Sequence, residues 1–411
     1  MSYEWVITAI DIWTSKIRTI IGKFDEEDGK NFQVLWIGIA SSNAIRKGNI
    51  LDMEEFKNNL DKSLEEAEKM AGEQVSGVYI SFNSSSFEVF TSKGVVAISG
   101  TEITQEDIDR ALEMAKNGVD MPNKEILKVI PEYFIVDLEE GVKNPLWMSA
   151  RKMEVIANIF SMNVNVLNNI RKAIADVGIE IYDIYPNLIS SPEGVLTKRQ
   201  KELGVVCIDI GASTTGITIF EEGVLKFASL IPIGGDNVTN DIALGVRTSI
   251  DVAEKLKLDY AQLNLEKAEK YTDQEIDLAS LNIGETGSLS LLYLSKIATA
   301  RYEEIFYFIR EELRRAGRDA MLPEGAIIVG GGAKVRGILE ISKEILRLPC
   351  FIGTPVEKDA LSEATISDPV FAAVIGNMIL ANKYSHGNIG FTLNVFGIFG
   401  SIAKVFKKLL P

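Results

Sequence analysis

The sequence predicts an α/β fold of two similar domains facing a cleft, on three observations. Residues 9–17, AIDIWTSKI, and 207–217, CIDIGASTTGI, are apolar strands that each run into an acid-led turn rich in hydroxyls. The strand–turn–strand pattern of residues 5–40 restarts at 203–232, and helical sequence follows each copy; this is a long-period duplication and not a short-repeat solenoid. A chain of 411 residues also has ample material for two or more cores.

The elements follow in order. EWVITAIDI, KIRTIIGKF and FQVLWIGIA alternate or run apolar between turns such as DEEDGKN and read as a β-meander. A helix is expected over about 52–71, then the strand VSGVYISF. From Ser84 the character changes. SFEVFTSKGVVAIS, a helix opened by Thr104 with Asp107 three residues on, and the strands EILKVIPEYFIVD and MEVIANIFSMN predict an inserted small α/β unit. A helix over 163–177 and the strand IEIYDIYP return to the first domain. The second meander, LGVVCIDIGASTTGITIFEEGVLKFASLIPIG, leads into a mostly helical stretch. After it come a strand–turn–helix, GAIIVGGGAKVRGILEISKEIL, and a last body helix, DPVFAAVIGNMILAN.

Composition narrows the function classes. A net charge of −15 with no dense basic stripe argues against nucleic acid as a partner. Cys207 and Cys350 lie far apart in apolar runs and read as buried small hydrophobes in a reducing compartment. His386, the one histidine, makes neither a zinc site nor a catalytic triad alone and reads as solvent-exposed. The N-terminus lacks a basic secretory leader, and no run reaches the ~18 uncharged apolar residues of a bilayer span, so the body is expected to be cytoplasmic.

The two turns carry the chemistry. Small residues let consecutive backbone N–H groups converge on an anion, and hydroxyls and lysine add donors. Asp11 and Asp209 stand at the entrances, and two carboxylates beside polyphosphate suit a hydrated Mg²⁺, held through water. Gly330-Gly331-Gly332 follows the strand AIIV, where glycine backbone can approach a flat ligand or a phosphate at a helix N-terminus.

The order of first acid-led turn, connector, second turn and glycine turn resembles the actin/Hsp70/sugar-kinase superfamily. Within it, GVVAISGTEITQEDIDRAL (94–112), IPIGGDNVTNDIALGVRTSIDVAEKLKL (231–258) and RYEEIFYFIREELRRAG (301–317) resemble the FtsA family of bacterial cell-division proteins over nearly the whole chain. The resemblance implies an actin-like duplicated fold with mixed five-stranded sheets around a nucleotide cleft. The first domain core would be 1–83 and 163–200, with a family-type insert at 84–162. The second core would be 201–237 and 306–381, with a helical small subdomain at 238–305. It also implies binding of ATP or ADP with Mg²⁺, self-association into filaments, tethering of the FtsZ ring to the membrane through the FtsZ C-terminal tail, and recruitment of later division proteins. By the same resemblance Asp11, Thr14, Ser15 and Lys16 form the first phosphate loop, and Asp209, Gly211, Ser213, Thr214 and Thr215 the second. Gly235, Glu254 and Lys257 resemble nucleoside contacts, and Gly331, Gly332 and Ala333 would line the adenosine. The Glu254–Lys257 spacing also reads as an exposed i,i+3 ion pair. Arg301 matches the arginine of the subdomain that receives the FtsZ tail, and equally reads as an ordinary solvated helix residue.

This chain departs from the family pattern where the phosphates would sit. Trp13 stands where the family has glycine, Ala212 and Ser213 replace two glycines, and Gly216 replaces an acid. Trp147, in NPLWMS, is also at a usual glycine and is grouped with these positions. Together they predict a reshaped phosphate end and at most a weak ATPase.

After Asp368 the chain has no acid. A linker over 382–393 leads to NVFGIFGSIAKVFKKLLP, residues 394–411, which reads as an amphipathic membrane-targeting helix. At 100° per residue Val395, Ile398, Phe399, Ile402, Val405, Phe406, Leu409 and Leu410 share an arc, and Lys404, Lys407 and Lys408 lie opposite. Phe396, Phe399, Ile402, Lys404, Phe406, Lys407, Lys408, Leu409 and Leu410 are the expected contacts with an anionic lipid surface. A helix docked on the body or a partner is the other reading. The function predicted is a peripheral adaptor on the cytoplasmic face of the cell membrane at the division site. Alternatives are a sugar kinase or Hsp70-like ATPase, or a scaffold like the pilus-assembly protein PilM.

Overall fold

The computed structural model describes residues 5–24, 32–72, 74–270, 274–281, 287–355 and 366–385. Two five-stranded mixed sheets share one wiring. The first runs in the order Glu180–Pro186, Gly77–Phe82, Trp5–Ile12, Lys16–Phe24, Phe32–Ser41. The second runs Cys350–Ile352, Ala326–Val329, Val205–Ile210, Thr215–Glu221, Val224–Ile231. In each, an antiparallel meander opens on a strand that also pairs in parallel with a later one. That common order is the predicted duplication seen in three dimensions. The opening strands are buried along nearly their whole length, which their unbroken apolar sequence requires of sheets covered on both faces.

Two helices join the halves. Asn187–Val195 follows the first sheet but sets Leu188, Ile189 and Val195 against Val205 and Cys207 of the second. Ala372–Ser385 follows the second sheet but packs Val374, Ile375 and Met378 on Ile7, Ala9 and Ile20 of the first. They cross where a Cβ on Gly376 would stand 1.7 Å from the Ser190 carbonyl oxygen, so only glycine permits the approach.

The insert is a four-stranded sheet, ordered Glu88–Ala97, Lys152–Asn163, Lys124–Val136, Glu139–Val142, with the helix Gln105–Asn117 laid on it. The Thr104 cap forms as expected: the Asp107 carboxylate accepts the Thr104 N–H at 2.9 Å. Both domains hold the insert. Lys128 Nζ reaches Asp183 Oδ2 of the first sheet at 2.6 Å with both side chains buried, and Asn158 Nδ2 donates to Leu225 O of the second at 3.1 Å.

Two sequence readings change. The glycine turn does not open directly into a helix: Gly331–Lys334 is a single 3₁₀ turn, and the α-helix begins only at Ile338. Trp147 belongs to the insert, where it is 69% exposed at φ +70°, and it has no part in the cleft. The glycine-like backbone at Trp147 serves the local turn, in which its N–H donates to Ile103 O at 3.0 Å. Cys207 and Cys350 are buried free thiols. Residues 386–411, holding His386, most of the 382–393 linker and the 394–411 helix, lie outside the described residues.

Candidate functional site: the interdomain cleft

Asp11 and Asp209 are each the penultimate residue of an opening strand, so the duplication sets two carboxylates facing one another across the domain boundary. Both are buried. Asp11 Oδ1 accepts from Ser81 Oγ at 3.1 Å and Asn187 Nδ2 at 3.2 Å, and Asp209 Oδ2 accepts from Ser191 Oγ at 2.7 Å. Asn187 and Ser191 lie one turn apart on one helix, so a single helical face holds an acid from each domain. Asp11 Oδ2 and Asp209 Oδ1 make no hydrogen bond. Burial pushes the Asp11 pKa up to about 7, against the pull of Arg18 and reinforced by the charge of Asp209. Burial likewise raises Asp209 to about 6, opposed by the Ser191 hydroxyl and Arg18.

Arg18 was not among the sequence candidates. Its signal was a lone cation inside the apolar strand KIRTIIGKF, directly opposite Asp11 in the hairpin register. The side chain is 5% exposed, and its Nε and Nη1 have no hydrogen-bond partner. Burial lowers its pKa, while Asp11, Asp368 and Asp209 favour the charged form. The guanidinium lies over the Trp13 ring, 4.8 Å from its centroid, with the Phe371 ring 5.8 Å away.

Trp13 points into the cleft. It is 8% exposed, and a Cβ on Gly331 of the opposite domain would stand 3.8 Å from its Cζ3. Beside it, Thr14 Oγ1 and Ser213 Oγ share a hydrogen bond of 2.8 Å, joining the two turns directly. Ile12, Trp13, Thr14, Asp209 and residues 211–214 line a solvent-open recess with about 20 Å³ of water-accessible space. One water needs roughly 10–15 Å³ by that measure, so the space holds one or two.

The other expected residues divide clearly. Thr215 Oγ1 is turned away, donating to Ile233 O at 2.8 Å, and Ser15 and Lys16 are exposed. The second loop uses part of its own backbone: the Gly211 N–H donates to Thr214 O at 2.9 Å and the Gly235 N–H to Gly211 O at 2.9 Å. Lys257 is buried and donates to Glu254 Oε2 at 2.6 Å, to Thr239 Oγ1 at 2.8 Å and to Gly235 O at 3.2 Å. The pair is therefore half-buried, with the Lys257 side chain inside and the Glu254 side chain 42% exposed. Gly330 has φ +84°, and a Cβ there would meet Asp209 Oδ1 at 2.5 Å. Gly332 packs on Ile210, and its carbonyl accepts the Tyr302 hydroxyl at 3.0 Å, so of the three glycines Gly331 is the one that meets Trp13. A Cβ on Gly216 would stand 3.0 Å from Leu188 Cδ2, a tight contact that a side chain there would relieve by shifting the leucine.

Gly235, Glu254 and Lys257 are bonded to one another beside the second turn, the Lys257 ammonium donating to both Gly235 O and Glu254 Oε2. Two unpartnered carboxylate oxygens are a donor set a hydrated Mg²⁺ accepts. The polyphosphate does not fit with Trp13 in this position, because the indole and the Thr14–Ser213 bond occupy the space between the two turns. Among the described residues no group of three or more His, Cys, Asp or Glu is disposed to hold a metal. Arg301, away from the cleft, clamps Asp241 through Nε–Oδ2 at 2.5 Å and Nη2–Oδ1 at 3.0 Å and also pairs with Glu304.

The family model "Cell division protein FtsA" matches residues 206–376, and "SHS2 domain inserted in FTSA" matches residues 84–161. The cell division protein FtsA of Pseudomonas aeruginosa is 32% identical, covering 93% of this chain and 91% of that protein. Its counterpart in Bacillus subtilis is 30% identical, over 86% and 80%. Among solved structures, a PilM–PilN type IV pilus biogenesis complex superposes with TM-score 0.64 at 14% identity, covering 92% of this chain and 98% of that one. MreB 5 of Spiroplasma citri bound to AMPPNP superposes with TM-score 0.55 at 14% identity, over 93% and 99%. These structural likenesses establish the actin-like fold.

Proposed function

The chain belongs to the FtsA family of cell-division proteins, and from that premise we propose that it is a membrane-attached scaffold of the division site, not a dedicated enzyme. It tethers the FtsZ ring to the cytoplasmic face of the membrane, self-associates into filaments and recruits later division proteins. The observation that carries this reading is the inserted SHS2 unit, fastened to both halves of an actin-like body whose sequence continues into the lysine-bearing apolar pattern of residues 394–411. Phenylalanines on one face and lysines on the other suit an anionic bilayer surface, where each lysine contributes roughly 1 kcal/mol. That attraction offsets the repulsion of an acidic body.

An adenine nucleotide, ATP or ADP, enters the cleft with its nucleoside end on Gly235, Glu254, Lys257 and residues 331–333. Its phosphates reach Asp11, Thr14, Ser213 and Thr214, with any Mg²⁺ held through water, only when Trp13 has withdrawn. Arg301 contacts the FtsZ tail after exchanging its Asp241 partner. Co-sedimentation with vesicles containing phosphatidylglycerol tests the tethering. The full chain is expected to pellet and a chain ending at Ser385 to stay in the supernatant; equal pelleting of both refutes a membrane role for the tail.

A further inference from the structure

Trp13, Arg18 and the Thr14–Ser213 pair make up one arrangement. The indole leaves the first domain and ends against Gly331 of the second. Arg18 lies over that indole from the neighbouring strand, among carboxylates contributed from both sides of the cleft, Asp11 and Asp209. Beside them the two turns are joined by a hydroxyl–hydroxyl bond across 199 residues of chain. A buried cation needs anionic neighbours, and a buried aromatic face is a favourable one for it. In an actin-like cleft, phosphates would be the natural bridge between two such turns. Here the chain's own side chains span the gap.

We propose that Trp13 and Arg18 form a built-in bridge between the two domains, which holds the cleft shut without a nucleotide and competes with nucleotide phosphates for the same space. The competition rests on the proposed reading of the cleft as a nucleotide site; the bridge itself does not. Closure of this chain is then its resting state, and a nucleotide must displace the indole from Gly331 and separate Thr14 from Ser213 before its phosphates can enter.

Two measurements on the full chain, cleared of nucleotide by phosphatase treatment, decide the matter. The first uses Thr14→Cys/Ser213→Cys, whose parent oxygens stand 2.8 Å apart, as a disulfide trap of the closed cleft. Oxidation is expected to be rapid with Trp13 present and at least fivefold slower when Trp13→Gly is added. Equal rates overturn the bridge. The second titrates fluorescent ADP and ATP analogues with Mg²⁺ into the unmodified chain and into Trp13→Gly. Affinity is expected to rise at least tenfold in the variant, and equal measurable affinity overturns the competition. If neither form binds, the nucleotide reading of the cleft fails and the competition with it, while the bridge is still decided by the trap. Trp13→Phe, a smaller ring that keeps the core filled, is expected to fall between the two in both assays. It replaces Trp13→Gly if circular dichroism shows that variant unfolded, and Trp13→Phe matching the unmodified chain in both assays then overturns the proposal.

Discussion

Replacing Asp11 by asparagine should flatten the pH dependence of folding stability. In the folded chain burial holds the Asp11 carboxyl at about 7, whereas a solvated aspartate titrates near 3.8. Its folded pKa is raised, so the native state binds the extra proton. The stabilisation is complete below pH ~4 and is lost as pH rises through ~7. Linkage for one group with these two values gives a loss of about 1.6 kcal/mol between pH 5.5 and 7.0. Asp209, raised to about 6, adds a loss of the same sign in both proteins, and because its charge helps raise Asp11 the difference between the curves reports the coupled pair. Asparagine keeps an oxygen for the Ser81 and Asn187 donors, so the geometry is retained. Urea unfolding followed by circular dichroism at pH 5.5, 6.0, 6.5 and 7.0 supplies the two curves. Stability of the unmodified chain should fall relative to Asp11→Asn by about 1–2 kcal/mol over that range. Parallel curves, or a divergence of opposite sign, would show that Asp11 is ionised in the folded protein and refute the account of the acid pair.

Three further outcomes follow from named contacts. Lys128→Met leaves Asp183 buried without its 2.6 Å partner and should cost about 3–5 kcal/mol in urea unfolding, with Lys128→Met/Asp183→Leu recovering most of it. Gly376→Ala forces a methyl onto the Ser190 carbonyl and should destabilise the chain by about 1–3 kcal/mol in urea unfolding, whereas Gly100→Ala, where the added Cβ meets nothing nearer than 3.6 Å, should leave the unfolding midpoint nearly unchanged. Arg301→Glu should weaken binding of an FtsZ C-terminal peptide at least tenfold by fluorescence anisotropy. Asp241→Ala, which releases the guanidinium from one of its two carboxylates and leaves Glu304, should strengthen it, and weakening by both variants would assign Arg301 to helix packing alone.

Much of the architecture was legible because it is written in local pattern. Two apolar strands each ending in an acid, a change of character at Ser84, a Thr104–Asp107 cap and a glycine turn after AIIV are all short-range signals. Each corresponds to an element whose backbone needs are met within a few residues. Partners across the chain were not legible. Nothing near Asn187 or Ser191 in sequence marks them as the groups that hold Asp11 and Asp209. Their helix reads as a connector until it is packed between the sheets. Arg18 was overlooked because a single cation in a strand is ordinarily on a solvated face, and only the hairpin register places it beside Asp11. Trp147 was grouped with the cleft because it occupies a glycine position; its backbone conformation explains the position, and the insert carries it elsewhere.

For the site, the sequence by itself determined which residues stand at the two turns, that the turns are copies, and that an indole replaces a glycine in one of them. It did not determine where that indole goes. An exposed Trp13 and one buried against Gly331 have the same local sequence and differ only in how two domains meet. The closed arrangement puts Thr14 against Ser213, the Arg18 guanidinium over Trp13, and donors from one helix against an acid from each domain. Those contacts join residues far apart in the chain, and burial, which sets the proton affinity of the acids and the cost of the lone guanidinium, exists only after the two bodies have come together.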